Sequence, residues 1–149
     1  MLNKFSWNNY TPLRKELPAE LRAPEAEKWL CGVIADHERI CGEINYIFCT
    51  DEEILEVNRK FLGHDYYTDI ITFDYDRGRM VNGDIYISLD TVKSNAELFG
   101  QPYRREFYRV LAHGVLHLCG INDKGPGERE IMEAHENRAL DAAVKEGLL

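Results

Sequence analysis

The spacing of apolar and polar positions divides the chain into helical and extended stretches. Trp29, Leu30, Val33 and Ile34 form an apolar stripe at helical spacing, and Pro24 suits the first turn of a helix running to His37. Gly42 ends that region, and the β-branched and aromatic content of residues 43–49 predicts a strand. Thr50 and Glu53 have the spacing of a capping box, so a helix starts at Asp51. Ile54, Val57 and Phe61 lie on its buried face, and Gly63 closes it. Residues 69–75 carry Ile70, Ile71, Thr72 and Phe73 in one uninterrupted run, the pattern of a central strand. A hairpin turn over Asp76, Arg77, Gly78 and Arg79 leads into a second strand, 80–88, where Gly83 marks a bulge or a close approach.

The rest of the chain is helical. One helix spans residues 89–99 and stops at Gly100; Pro102 opens another that runs to Cys119. A turn at Gly125, Pro126 and Gly127 precedes a final amphipathic helix with Ile131, Met132, His135, Leu140 and Val144. Residues 2–7 predict a short first strand, and residues 12–18 a loop. Strands early and helices late, with one hairpin, predict a single α+β domain over residues 1–149. Its small mixed β-sheet of about four strands packs with about five helices, and its zinc site lies at the end of a central helix.

That site is read from the run Leu111 to Asp123. His113 and His117 are four residues apart, so one helical face presents both imidazoles. Gly120 predicts a left-handed C-cap that turns the chain back, and Asp123 follows three residues later. Two neutral imidazoles and a carboxylate make a three-ligand zinc site with one position left for chemistry. The competing reading is two core histidines with Asp123 capping the turn, but buried histidines in an aliphatic helix need polar partners.

Composition narrows the setting. The chain has 149 residues and is 44% apolar, enough for one real core, and no apolar run approaches a membrane span. The N-terminus lacks an apolar signal core, which predicts a cytoplasmic protein. Cys31, Cys41, Cys49 and Cys119 form no Cys-x-x-Cys pair and read as reduced, mostly buried residues. A formal charge of −8 argues against indiscriminate nucleic-acid binding. The basic clusters Arg59 with Lys60, Arg77 with Arg79, and Arg104, Arg105 with Arg109 read as solvated faces.

A helical zinc protease carries a Glu general base directly after its first His, and here that position is Gly114. Two explanations compete for Gly114: close packing of another backbone, or open space for substrate beside the ion. Without the Glu the metal must do most of the activation, and a metal with an Arg suits a phosphodiester better than an amide.

Three segments together resemble the YbeY family of bacterial ribosomal-RNA maturation endoribonucleases. They are His113-Gly114-x-Leu116-His117-Leu118-x-Gly120, Thr68-Asp69-Ile70-Ile71-Thr72-Phe73 and Gly83-Asp84-Ile85-x-Ile87-Ser88, with Asn58 to Phe61 in support. The resemblance covers about residues 50–140 in order and spacing. It implies a zinc-dependent, single-strand-specific endoribonuclease in the cytoplasm, with one Zn²⁺ per chain held by His113, His117 and Asp123. Its substrate would be single-stranded ribosomal RNA at the 3′ end of the small-subunit (16S) species. Its partners would be the small ribosomal subunit and its assembly proteins, with no DNA and no membrane.

Two positions depart from the family. A third His is usual where this chain has Asp123, and Asp is itself a legitimate zinc ligand whose charge lowers that of the site. A family Arg linked to activity would follow Phe61, where this chain has Leu62. Arg59, three residues earlier, is the candidate for its phosphate role, and the catalytic assignment is therefore Arg59 and His113; the alternative for Arg59 is a solvent-exposed helix residue. His64 and Asp65 read as surface loop residues near the site, His135 as a hydrogen-bonded core residue, and His37 as a helix-terminal one. A zinc peptidase-like metallohydrolase, and a non-catalytic ribosome-assembly factor with a structural zinc, are the alternative functions.

Overall fold

Strands β1 (Phe5–Asn9), β2 (Ile40–Cys49), β3 (Ile70–Asp74) and β4 (Met80–Ser88) form one sheet in the computed structural model, which describes residues 5–9 and 17–149. Their order is β1-β2-β4-β3; the first two pairings are parallel and β3 runs antiparallel to β4, so the sheet is mixed. Five helices, α1 (Ala23–Asp36), α2 (Asp51–Val57), α3 (Leu89–Leu98), α4 (Tyr103–Leu118) and α5 (Glu128–Lys145), complete the α+β architecture. The predicted first strand is found at Phe5–Asn9; its residues 2–4, and residues 12–16 of the predicted loop, lie outside the described residues. No helix among the described residues is long and apolar enough to cross a membrane.

The two-residue period of the strands sorts side chains between two apolar layers. Ile44, Tyr46 and Phe48 of β2 join Val81, Ile85 and Ile87 of β4 in the larger core, with α1 and α4 against them. Cys49 and Ile71 join the smaller cluster with Ile54 and Val57 of α2. α2 begins where the sequence requires: Thr50 Oγ1 accepts from the Glu53 N–H at 3.2 Å, and Glu53 Oε1 accepts from the Thr50 N–H at 2.8 Å. α4 is central, buried from Phe107 to Leu118 except on the face that carries Arg109, His113 and His117.

Two glycines set how closely α4 lies on the sheet. A Cβ at Gly114 would meet Ile85 Cγ2 at 2.9 Å and Ile70 Cδ1 at 3.1 Å, so the residue faces the sheet and is close-packed, but against side chains and not against another backbone. A Cβ at Gly83 would lie 2.7 Å from the Phe73 carbonyl oxygen and 2.8 Å from Leu118 Cδ2, which makes it a close approach and not a bulge. The bulge is at Gly42, inside β2, where the register with β4 jumps between Cys41 and Ile44.

The structure corrects four details of the sequence reading. β3 is an edge strand: α4 and α2 cover its two faces, and an apolar run reports covered faces, not occupied edges. β2 starts at Ile40, three residues before the predicted start. α2 passes into a π-helical turn over Asn58–Leu62, whose wider winding carries Phe61 off the buried face and leaves it 57% exposed. On α5 the buried stripe is Met132, Glu136, Ala139, Leu140 and Ala143, whereas Ile131 and Val144 are exposed. Counting large apolar residues found Met132 and Leu140 but not Glu136, Ala139 and Ala143 beside them. Cys31 of α1 brings its sulfur to 2.8 Å from that of Cys41 of β2.

Gly83→Ala is expected to destabilise the fold by about 1–3 kcal/mol, because a backbone carbonyl cannot yield to the added methyl as a side chain can. A urea midpoint equal to that of the unchanged protein would show that α4 has room to lift off the sheet.

Candidate metal centre

The C-terminus of α4 builds the site. Gly120 adopts φ 94°, its N–H bonds the His117 carbonyl at 2.9 Å, and the Ile121 N–H bonds the Leu116 carbonyl at 3.0 Å. This pair of bonds is a Schellman closure, available because glycine accepts the left-handed conformation. It reverses the chain and returns Asp123 over the last turn of the helix.

There Asp123 Oδ2 lies 3.4 Å from His113 Nε2 and 3.5 Å from His117 Nε2. The two imidazole rings are perpendicular, with centroids 4.4 Å apart. A tetrahedral ion with bonds of about 2.0–2.1 Å needs ligand atoms about 3.3–3.4 Å apart, so these residues fit a metal. Among the described residues no fourth His, Cys, Asp or Glu joins the cluster. Cys119, next in the chain, has its thiol pushed up to about 11 by burial and stays protonated at neutral pH. Burial and the neighbouring His113 hold the His117 imidazole below its ordinary range, favouring the neutral form that ligates. Proton competition for His117 therefore starts only below the ordinary imidazole range.

A buried ionic chain stands behind the ligands. The Glu136 carboxylate, 4% exposed, meets His113 Nδ1 at 2.5 Å, which fixes the proton on Nδ1 and turns Nε2 toward Asp123. Arg109 donates to Glu136 at 3.0 Å and holds Glu106 through two bonds of 2.8 and 2.5 Å. Burial pushes the Glu136 carboxyl up, but the His113 bond and Arg109 outweigh it, so Glu136 sits below the usual range and is ionised. Sequence reading missed Glu106 and Glu136 and took Arg109 for part of a solvated face, whereas it is bonded between those two buried carboxylates. The available signal was their register: charged residues on the apolar stripes of α4 and α5.

The cluster opens into a cleft of about 510 Å³. Its walls include β3 at the sheet edge, the returning loop at Asn122 to Lys124, and Asn58, Leu62, His64 and Tyr66. Leu62, where the family Arg would stand, lines this cleft. Arg59 does not; its exposed guanidinium is bonded by Asp65, which raises its pKa further. His64 does line the cleft, whereas His135 packs edge-on against His37, with ring centroids 4.8 Å apart, and takes no part in the cluster.

The family model described as Endoribonuclease YbeY matches residues 15–144 of this chain. A relative of that name from Phocaeicola vulgatus is 64% identical over 121 residues, which cover 81% of this chain and 88% of the relative. One from Bacteroides fragilis is 61% identical, covering 81% and 87%. One from Azobacteroides pseudotrichonymphae is 42% identical over 132 residues, covering 89% and 94%. A solution structure of a Thermotoga maritima protein has a similar fold, with a TM-score of 0.66 at 25% identity over 95% of this chain and 90% of that one.

Metal titration of three variants tests the centre. Asp123→Ala is expected to lose the ion and Asp123→His to keep it; retention by Asp123→Ala would make the carboxylate a turn cap. Glu136→Gln is expected to weaken metal affinity by about 10–100-fold while His113 and His117 remain. Affinity equal to that of the unchanged protein would reduce Glu136 to a packing role.

Proposed function

This chain belongs to the YbeY family and is a metal-dependent endoribonuclease, a hydrolase of phosphodiester bonds; from that premise we propose that it matures the 3′ end of small-subunit ribosomal RNA. In this reading it acts in the cytoplasm on single-stranded RNA within the small ribosomal subunit and its assembly proteins. The ion is Zn²⁺, one per chain, on His113, His117 and Asp123. The observation that supports the reading is a cluster of three residues able to hold a metal, which faces a cleft and has no fourth such residue among the described ones.

When bound, the ion supplies Lewis acidity toward a phosphoryl oxygen and the attacking water. The chain's own residues do the rest. Glu136 holds the His113 tautomer that presents Nε2, and Asp123 lowers the net charge of the site by one relative to a third imidazole. Arg59 stands at the start of the turn that ends in Leu62, and we assign it a phosphate contact made by exchanging Asp65 for the substrate. His113, like His117 and Asp123, would serve the reaction by holding the ion.

The alternatives fit the geometry less well. A peptidase of the helical type would place its Glu where Gly114 packs on Ile85, too far into the sheet to serve the cleft. A structural zinc would be closed by a fourth ligand.

Mapping small-subunit rRNA ends in a strain depleted of the protein tests the reading. Unprocessed 3′ ends should accumulate, be restored by the unchanged gene, and persist with His117→Ala. Arg59→Ala should restore them partially, with RNA cleavage slowed by about tenfold in the purified protein. Normal ends after depletion would remove the maturation role, and rescue by His117→Ala would separate it from the metal.

A further inference from the structure

The cleft wall is aromatic at His64 and Tyr66. Leu62 fills the place of the family Arg, and Arg59 is engaged by Asp65 outside the lining. Lys124 is the one basic residue among those lining the cleft, against Asp69, Asp123 and Glu128, in a chain of formal charge −8. Beyond the bound ion and Arg59, the cleft lining therefore offers a polyanion little neutralising charge. A contact of another kind can add to that grip.

The loop after the π-helical turn offers it. Gly63 turns the chain at φ 66°, and the His64 N–H bonds the Asn58 carbonyl at 3.1 Å. The Asn58 side chain, 1% exposed, donates to the Tyr66 carbonyl at 2.9 Å. One buried residue thus pins both ends of the segment. The His64 and Tyr66 rings stack with centroids 5.2 Å apart and planes 20° from parallel, and Tyr66 Oη and His64 Nδ1 hydrogen-bond at 3.0 Å. That bond occupies a His64 nitrogen, and His64 is not part of the metal cluster. Both residues line the cleft, yet Tyr66 remains 48% exposed. The result is a rigid aromatic surface beside the candidate metal centre.

We propose that the His64–Tyr66 pair is a base-stacking shelf that selects unpaired RNA, with Tyr66 as its specificity-determining residue. This rests on the endoribonuclease reading and adds to it how the substrate is recognised. An unpaired base splays out and lies on an aromatic face, whereas a base held in a duplex does not. Stacking tolerates any base, so the shelf selects strandedness and not sequence. Because Asn58 has already ordered the loop, little conformational entropy is lost when the base docks.

Steady-state cleavage of a short unstructured oligoadenylate by the zinc-loaded protein tests the shelf, with the same sugar–phosphate strand lacking bases as competitive inhibitor. Tyr66→Ala is expected to raise KM by about tenfold with kcat unchanged, and to leave inhibition by the abasic strand as it was. Tyr66→Trp, which keeps an aromatic face, should retain the original KM, and zinc content should be equal in all three proteins. An unchanged KM in Tyr66→Ala would overturn the proposal. So would an equal loss of affinity for the abasic strand, since Tyr66 would then be serving the backbone or the fold. A protein that cut no RNA before any substitution would overturn the nuclease reading itself, a result distinct from a nuclease indifferent to Tyr66.

Discussion

The contact on which the rest of the molecule depends is the close seating of α4 on the sheet. Gly114 on the helix and Gly83 on β4 each leave out a Cβ that would strike the other layer. Gly114 sits one residue after His113, so the same helical turn that presses inward at 114 turns its ligands outward at 113 and 117. A helix held further off would carry His113 and His117 away from the cleft bounded by β3. The helix interior gives up about 1 kcal/mol of propensity at Gly114 relative to alanine, and the packing of Ile85 and Ile70 against it offsets that cost.

A second constraint couples α4 to α5. Glu106, Arg109, Glu136 and His113 form one chain of charge-assisted bonds within the protein, with Glu106 and Glu136 almost wholly buried. Buried charges persist only when paired, and here every member has at least one partner. Arg109, set between two carboxylates, balances one of them and leaves the other free to act on His113. The chain therefore gives the metal centre a fixed tautomer and gives α5 a reason to dock despite its alanine-rich stripe.

The cleft combines an acidic protein with a polyanionic substrate class. Its wall is apolar and aromatic at Leu62, His64 and Tyr66, and Asn58 ties the Tyr66 backbone down. In the proposed reading, short-range stacking that depends on shape adds to charge, which salt screens. The edge position of β3 serves the same end: an interior strand would have closed the cleft with another neighbour, whereas the edge leaves it open.

The sequence by itself determined most of the elements and the clustering of His113, His117 and Asp123. Capping at Thr50 and Glu53, the hairpin at Arg77 to Met80 and the turn at Gly120 are local interactions, written in residues three to five apart. The His113, His117 and Asp123 cluster was legible for the same reason, since a helical turn and a glycine reversal bring it together without help from distant residues. Tertiary structure decided what local spacing cannot encode. It put β3 at an edge, because burial of both strand faces says nothing about which strands lie alongside. It buried Glu136, 23 residues beyond His113, by packing α5 across α4. It bonded Arg59 to Asp65 and placed Leu62, His64 and Tyr66 in the cleft, since the π-helical turn and the pinned loop after it depart from regular winding. Long-range contact, which no window of sequence contains, is the physical reason in each case.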